Sequence, residues 1–277
     1  MSDEERPSNR IARRPACQPI QEDTIMKMRI SGLLVFLLVV MLVPAAIPQT
    51  ESMPIIYTYV SQFQVPRANW AAYSEDSEKS VIPVLEKSVA DGSIMSWSTF
   101  EQVVHTPDGY THGAAWSSTS IAGLMKVLDE IRKSPPRPGQ IAATKHEDYL
   151  MQSRMYHPGG TGTPTYLRVV CASAKPDKPE HYTAVLKKML VPTFEEQLKA
   201  GVATYYGLDE QYVNTSAPST RCLVITYPNA ESIDKWATAV NTTIGKWTPA
   251  EREEFASASV LDSRRDILAR ITHSGHK

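Results

Sequence analysis

Three cysteines in 277 residues exclude a scaffold built on disulfides. Cys17 precedes the one long apolar run, so it does not anchor a lipoprotein. Cys171 and Cys222 remain, enough for a single disulfide in an oxidising compartment. No Cys-x-x-Cys pair occurs, and no P-loop, G-x-G-x-x-G, G-x-S-x-G or H-E-x-x-H. The compact signatures of thiol exchange, phosphate cradling, nucleotide binding, serine hydrolysis and zinc proteolysis are therefore missing. Charge of one sign is missing too. Lys and Arg number 29 against 30 Asp and Glu, a net charge of −1, without the basic field of a nucleic-acid binder. Glycine is scarce beside proline, 13 against 20, and many prolines fall where elements should begin or end.

Uncharged sequence is concentrated in one place. Met26-Lys27-Met28-Arg29 precedes a charge-free run from Ile30 to Ile47, in which Pro44-Ala45-Ala46 follows the unbroken apolar stretch Leu33 to Val43. A basic segment, a short apolar core and small residues describe a secretory signal. The run is slightly short for a spanning helix and contains Pro44. Residues 26–47 are thus read as a cleaved signal peptide, with an N-terminal membrane anchor over residues 30–47 as the alternative. Residues 1–25 are polar, either a disordered tail or a misassigned start. The expected localisation is periplasmic or secreted, with membrane contact only through this segment. Asn214-Thr-Ser and Asn241-Thr-Thr match the glycosylation sequon, relevant only in a eukaryotic secretory pathway.

Beyond residue 53 the chain repeats itself. Pro192 follows Pro83 by 109 residues (192 − 83 = 109), and the same spacing relates Gly92 to Gly201 and Tyr73 to Tyr182. It also relates Glu101-Gln102 to Glu210-Gln211, and no gap is needed from Tyr57 to Lys126. Repetition of this kind decides architecture before any local reading does. Ile55 to Val65 reads as a strand rich in Ile, Tyr, Val and Phe. Asn69 should cap a long helix starting at Trp70 and closed by Gly92, with Pro83 kinking its interior. Ile94 to His105 and His112 to Ser117 form a hairpin around Thr106-Pro107-Asp108-Gly109. Ser120 caps a second helix, and Asp148 to Tyr156 is the last strand. The second copy repeats this order, with one extra helix near Thr248 to Ala256.

Each copy reads β-α-β-β-α-β, the ferredoxin-like order, whose sheet has one face left to bury. The fold class is therefore α+β: two tandem ferredoxin-like repeats, residues 54–157 and 164–277, joined by a linker over 158–163. This pattern resembles the dimeric α/β-barrel superfamily in a form where one chain supplies both halves. The resemblance implies an intrachain pseudo-dimeric barrel, monomeric in solution. It relates the chain to antibiotic-biosynthesis-monooxygenase-like enzymes, haem-binding enzymes and stress-responsive barrel proteins, with ligand sites between helices and sheet. No catalytic motif of that superfamily transfers residue by residue. Haem-handling members place a histidine on a helix beside the haem. Here His181, at the start of one helix, is the only histidine in the four repeated helices. No cofactor and no metal are expected.

The candidate site follows from the aromatics. Trp70, Tyr73, Trp97 and Trp116 crowd the first copy, while Pro179, Tyr206 and Ile225 stand at the corresponding positions of the three tryptophans. That asymmetry suggests a first-copy pocket for an apolar or aromatic small molecule, against the plainer reading of a filled core. Glu101 or His112 would orient the ligand and, in an enzyme, accept a proton. Glu101 and Glu210 equally suit a polar pair that sets the register between the halves. His105 and His112, paired across the hairpin, would begin a metal site, but zinc needs at least three good protein ligands. Two readings of function stay open: a small-molecule-binding, cofactor-independent oxygenase-like protein, or a non-catalytic envelope interaction or structural protein.

Overall fold

Eight strands close into a barrel, in the order β1-β3-β2-β8-β5-β7-β6-β4. The structure, a computed structural model, describes residues 53–158, 160–213 and 219–277. The tail 1–25, the apolar segment within 26–47 and the sequon at Asn214 lie outside the described residues. No helix among the described residues is long and apolar enough to cross a membrane. The strands are β1 Ile56–Gln64, β2 Ser96–Gln102, β3 His112–Ser118, β4 Lys145–Pro158, β5 Tyr166–Ser173, β6 Tyr205–Gln211, β7 Thr220–Tyr227 and β8 Arg265–His276. Every neighbouring pair is antiparallel. Closure leaves no strand edge exposed to recruit another chain.

Alternation divides each strand between two environments. On β1, Val60 points into the barrel, where Phe100, Leu167 and Ala269 form the buried centre. Tyr57 and Tyr59 point outward, under the helices of the first half. Those helices are α1 Trp70–Ser80, α2 Ile82–Ala90 and α3 Ile121–Lys133. They bury Ile82, Leu85, Leu124 and Val127 against the sheet. In the second half, α4 Pro179–Met189, α5 Val191–Lys199, α6 Ala230–Gly245 and α7 Pro249–Ser257 cover the other side. Their core is the larger, built on Phe194, Tyr206, Tyr227 and Trp236.

The helix ends follow their sequence signals. Ser120 Oγ accepts from the Gly123 N–H at 3.1 Å, and Asn229 Oδ1 from the Ser232 N–H at 3.0 Å. Thr248 and Glu251 form a capping box at α7. Gly92 and Gly201 close α2 and α5 with φ of +79° and +69°, a region that penalises any side chain. One expectation is corrected here. Pro83 does not kink a continuous helix: the helix breaks at Val81, and Pro83 sits in the first turn of α2. Pro192 does the same in α5. At that position the missing N–H has no intrahelical acceptor to lose, so proline costs little. Asn69 is corrected as well. It ends a short 3₁₀ turn, Arg67–Asn69, and its side chain caps nothing, although α1 does begin at Trp70.

Candidate functional site

The outward face of β3 carries His112, Ala114 and Trp116 in register under the first-half helices. His112 is 4% exposed. Trp70, the first residue of α1, meets its ring edge-on with centroids 5.2 Å apart. Tyr73, one turn later, lies 4.9 Å away. Phe63 on β1 packs on Tyr73 at 5.7 Å and stacks on His146 at 4.4 Å. His105 leans on the same Trp70 at 5.0 Å, and the Arg67 guanidinium lies 4.5 Å from that ring. Trp70 is held in place by its indole N–H, which donates to the Val65 carbonyl at 2.9 Å.

The two nitrogens of His112 differ. Nδ1 lies 2.9 Å from Thr111 Oγ1, which also accepts from the Val65 N–H at 2.9 Å and lies 3.2 Å from the Phe63 carbonyl. The hydroxyl is used fully when Nδ1–H donates to Oγ1 and Oγ1–H donates to Phe63 O. That arrangement leaves Nε2 a bare lone pair. Nε2 is buried and has no hydrogen-bond partner. Burial, and secondly the charge of His105, lower the imidazole pKa from 6.5 to about 4, so the ring is neutral at pH 7. An unpaired buried polar atom costs about 1–3 kcal/mol. Such a group asks for an explanation in ligand or strain.

A cleft of about 380 Å³ opens on the outer side of Trp70. Gln64, Val65, Arg67, Trp70, His105 and Thr111 are among its walls. It combines an aromatic face, a cation and hydrogen-bonding side chains.

The structure does not bring the four predicted aromatics together. Trp70 and Tyr73 meet at His112. Trp97 and Trp116 face each other across β2 and β3, about 13 Å along the strand from His112 at the usual rise per residue. Trp116 is 2% exposed, stacks on Tyr59 at 4.7 Å and donates its indole N–H to the Leu124 carbonyl at 3.3 Å. It is core. Trp97, 6% exposed, borders a separate cleft shared with Ile82, Glu86 and His273. The histidine pair is corrected too. The chain leaves the ladder after Gln102, so His105 lies in the turn and the residue opposite His112 is Glu101. Both histidines reach Trp70.

Glu101 is half-buried on the helix side, and Gln102 is the member of the pair that turns into the barrel, as Gln211 does in the second half. At the position corresponding to His112 the second half has Arg221, paired with Glu210 at 2.7 Å. One half therefore closes this spot with an ion pair, and the other leaves a buried nitrogen open. Sequence reasoning missed Thr111 as the partner of His112, and His146, which only the pairing of β1 with β4 brings to Phe63. Ser61, His146 and Asp148 have the composition of a hydrolytic triad without its geometry. The same nitrogen, Nε2, lies 2.8 Å from Ser61 Oγ and 2.9 Å from Asp148 Oδ1, so the ring cannot pass a proton between them. Among the described residues no three or more His, Cys, Asp and Glu side chains gather in a way that could hold a metal.

No family model matches the chain. No curated protein matches it either. Solved structures do. A proposed monooxygenase of Lactobacillus acidophilus NCFM superposes with a TM-score of 0.58 at 11% identity, over 80% of this chain and 96% of that one. A proposed monooxygenase of Fusobacterium nucleatum gives 0.58 at 11% identity, over 81% and 96%. An anthrone oxidase-like protein gives 0.52 at 9% identity, over 80% and 93%. Identities this low speak for the fold alone. The chain has the dimeric α/β-barrel fold, an α+β protein around a closed antiparallel barrel.

Proposed function

We propose that this chain is an exported protein that binds an apolar or aromatic small molecule in the first half of its barrel. The observation that carries this is His112: a neutral, buried imidazole with an unpartnered Nε2, enclosed by Trp70 and Tyr73 behind an open cleft whose wall includes its neighbours Trp70 and Thr111. The aromatic rings supply flat apolar contact, and the bare nitrogen accepts one hydrogen bond from the ligand. A base that is unprotonated at neutral pH also takes a proton from an acidic O–H or C–H. The monooxygenase-like and oxidase-like neighbours agree with extending this to cofactor-independent oxygenase-like chemistry. In that reading His112 is the proton acceptor, while Trp97 and Trp116 support the fold from deeper in the sheet.

We further propose that the barrel is a pseudo-dimer of two tandem ferredoxin-like repeats. In support, β4-β1-β3-β2 and β8-β5-β7-β6 follow one another in the same order around the barrel. Export rests on the segment Met26 to Ile47 and a cleavage near Ala46, and N-terminal sequencing of envelope protein should start between Ile47 and Glu51. The binding reading is tested by native mass spectrometry of protein purified from its own host. A bound organic molecule should be present in the parent and absent from His112→Phe and Trp70→Ala. Retention of the same molecule by both folded variants would refute the site.

A second reading, a non-catalytic envelope protein that meets partners, has its own support. Val103 and Val104 after β2, and Tyr212 and Val213 after β6, are exposed apolar pairs at corresponding positions. Ligand-free protein that captures a defined partner only while these four residues are intact would favour it.

A further inference from the structure

The inner face of the barrel holds a row of four residues on adjacent strands. Asp209 on β6 lies opposite Cys222 on β7, Cys222 opposite Cys171 on β5, and Cys171 opposite Arg265 on β8. Residues paired this way point to one face, with Cβ atoms about 5 Å apart. The two cysteines are joined as a disulfide. Burial is graded along the row: Asp209 and Cys222 are 7% exposed, Cys171 is half-buried and Arg265 is exposed. Cys171 is therefore the more exposed member of the pair. A cation stands beyond its sulfur, and a carboxyl group stands beside the other.

We propose that Cys171–Cys222 is an exchangeable disulfide, attacked at Cys171 by an external dithiol, with Asp209 as the proton donor to the departing Cys222. This site is separate from the His112 cleft. A thiolate of the dithiol attacks Cys171 Sγ. The Cys171–Cys222 bond breaks as the new mixed disulfide forms, and its electron pair goes to Cys222 Sγ, which takes the Asp209 proton. The second thiol of the dithiol then attacks its own sulfur in the mixed disulfide. It leaves as a cyclic disulfide and releases Cys171 as a thiolate beside Arg265. Its proton and one from solvent restore Asp209 and Cys171. The dithiol is oxidised by two electrons and the protein disulfide is reduced by two.

Burial raises the Asp209 pKa to about 6, against the hydroxyl of Ser153, which donates to the carboxylate and works to lower it. The carboxyl group thus keeps its proton in mild acid, where an exposed one would have lost it. Tyr205 faces it from the same strand, folded over Gly207, where an added Cβ would meet the phenol oxygen. Tyr156 of β4 interacts with Tyr205, and Tyr149 and Glu147 of β4, Tyr110, and Arg265 of β8 form a further titratable cluster toward this end. Glu210 and Arg221 are paired with each other on the opposite face.

The test reduces the folded chain with dithiothreitol between pH 5 and 8, with alkylation and mass counting of thiols. Near-ultraviolet circular dichroism reports whether the fold persists. The rate is divided by the thiolate fraction of the reductant. In the parent this corrected rate should rise roughly tenfold as pH falls through about 6, since donation requires the protonated acid. Asp209→Asn should flatten the profile, and Ser153→Ala should move its inflection to higher pH. With glutathione as a monothiol probe, the trapped adduct should sit on Cys171. Reduction only as the fold is lost, an adduct on Cys222, or an Asp209→Asn profile equal to the parent's would each overturn the proposal.

Discussion

Replacing His112 by phenylalanine should yield a protein that is as stable as the parent at neutral pH, more stable in acid, and unable to bind. The native state holds this imidazole down from 6.5 to about 4, chiefly by burial. The unfolded chain takes a proton near 6.5 that the folded chain refuses. Stability therefore rises with pH between about 4 and 6.5, and it is lost as pH falls through that window. The full effect is about 3 kcal/mol, of which about 2 kcal/mol is lost by pH 5. Phenylalanine takes no proton and keeps the ring between Trp70 and Tyr73. At pH 7 it forfeits the bond to Thr111, worth about 1 kcal/mol, and removes an unpaired buried nitrogen that costs about 1–3 kcal/mol. Asp209 titrates in the opposite sense, but equally in both proteins, so it cancels in the difference. Urea unfolding followed by tryptophan fluorescence at pH 7, 6 and 5 measures the effect. Parent and variant losing stability in parallel from pH 7 to 5 would show that His112 is not held neutral by the fold.

Three other outcomes follow from the packing. Trp116→Ala should cost about 3–5 kcal/mol, while Trp70→Ala, at a half-buried position, should cost less than about 2 kcal/mol; the reverse order in denaturant midpoints would contradict the division of the aromatics into core and cleft. Gly201→Ala should destabilise by about 1 kcal/mol because its φ is +69°, whereas Gly245→Ala, with nothing within 4 Å of the added Cβ, should be neutral or stabilising. Residues 54–157 expressed alone lose the β2–β8 and β4–β6 pairings. They should form a homodimer or precipitate, and a stable monomer by light scattering would count against the pseudo-dimer.

Much of the fold was legible because the signals were local and came twice. The 109-residue spacing located the strands, the glycine stops at Gly92 and Gly201, and the caps at Ser120 and Asn229, all of which depend on neighbours within a few residues. Pro83 was misjudged because sequence cannot tell a kinked helix from two helices in succession; the backbone N–H count at a first turn decides it. The site was legible only in part. His112, Trp70 and Tyr73 were expected together and meet. Trp97 and Trp116 were expected with them because strand alternation gives the face but not the position along it. A disulfide between Cys171 and Cys222 was open from sequence, but the row from Asp209 to Arg265 depends on three strand registers that no local pattern fixes.

The two halves differ most where they correspond most closely. Glu101 opposite His112 occupies the place of Glu210 opposite Arg221. In the second half the partners neutralise each other, and Gln152 donates a further hydrogen bond to Glu210. In the first half the cation is replaced by a ring that burial keeps uncharged, so the carboxylate and the histidine no longer complete each other. A duplicated contact that served only the fold would be satisfied in both copies, because leaving one unsatisfied sacrifices stability for nothing. Divergence at this one pair, near a cleft lined by first-half residues that include Trp70 and His105, is what makes the first half the place to look for a ligand.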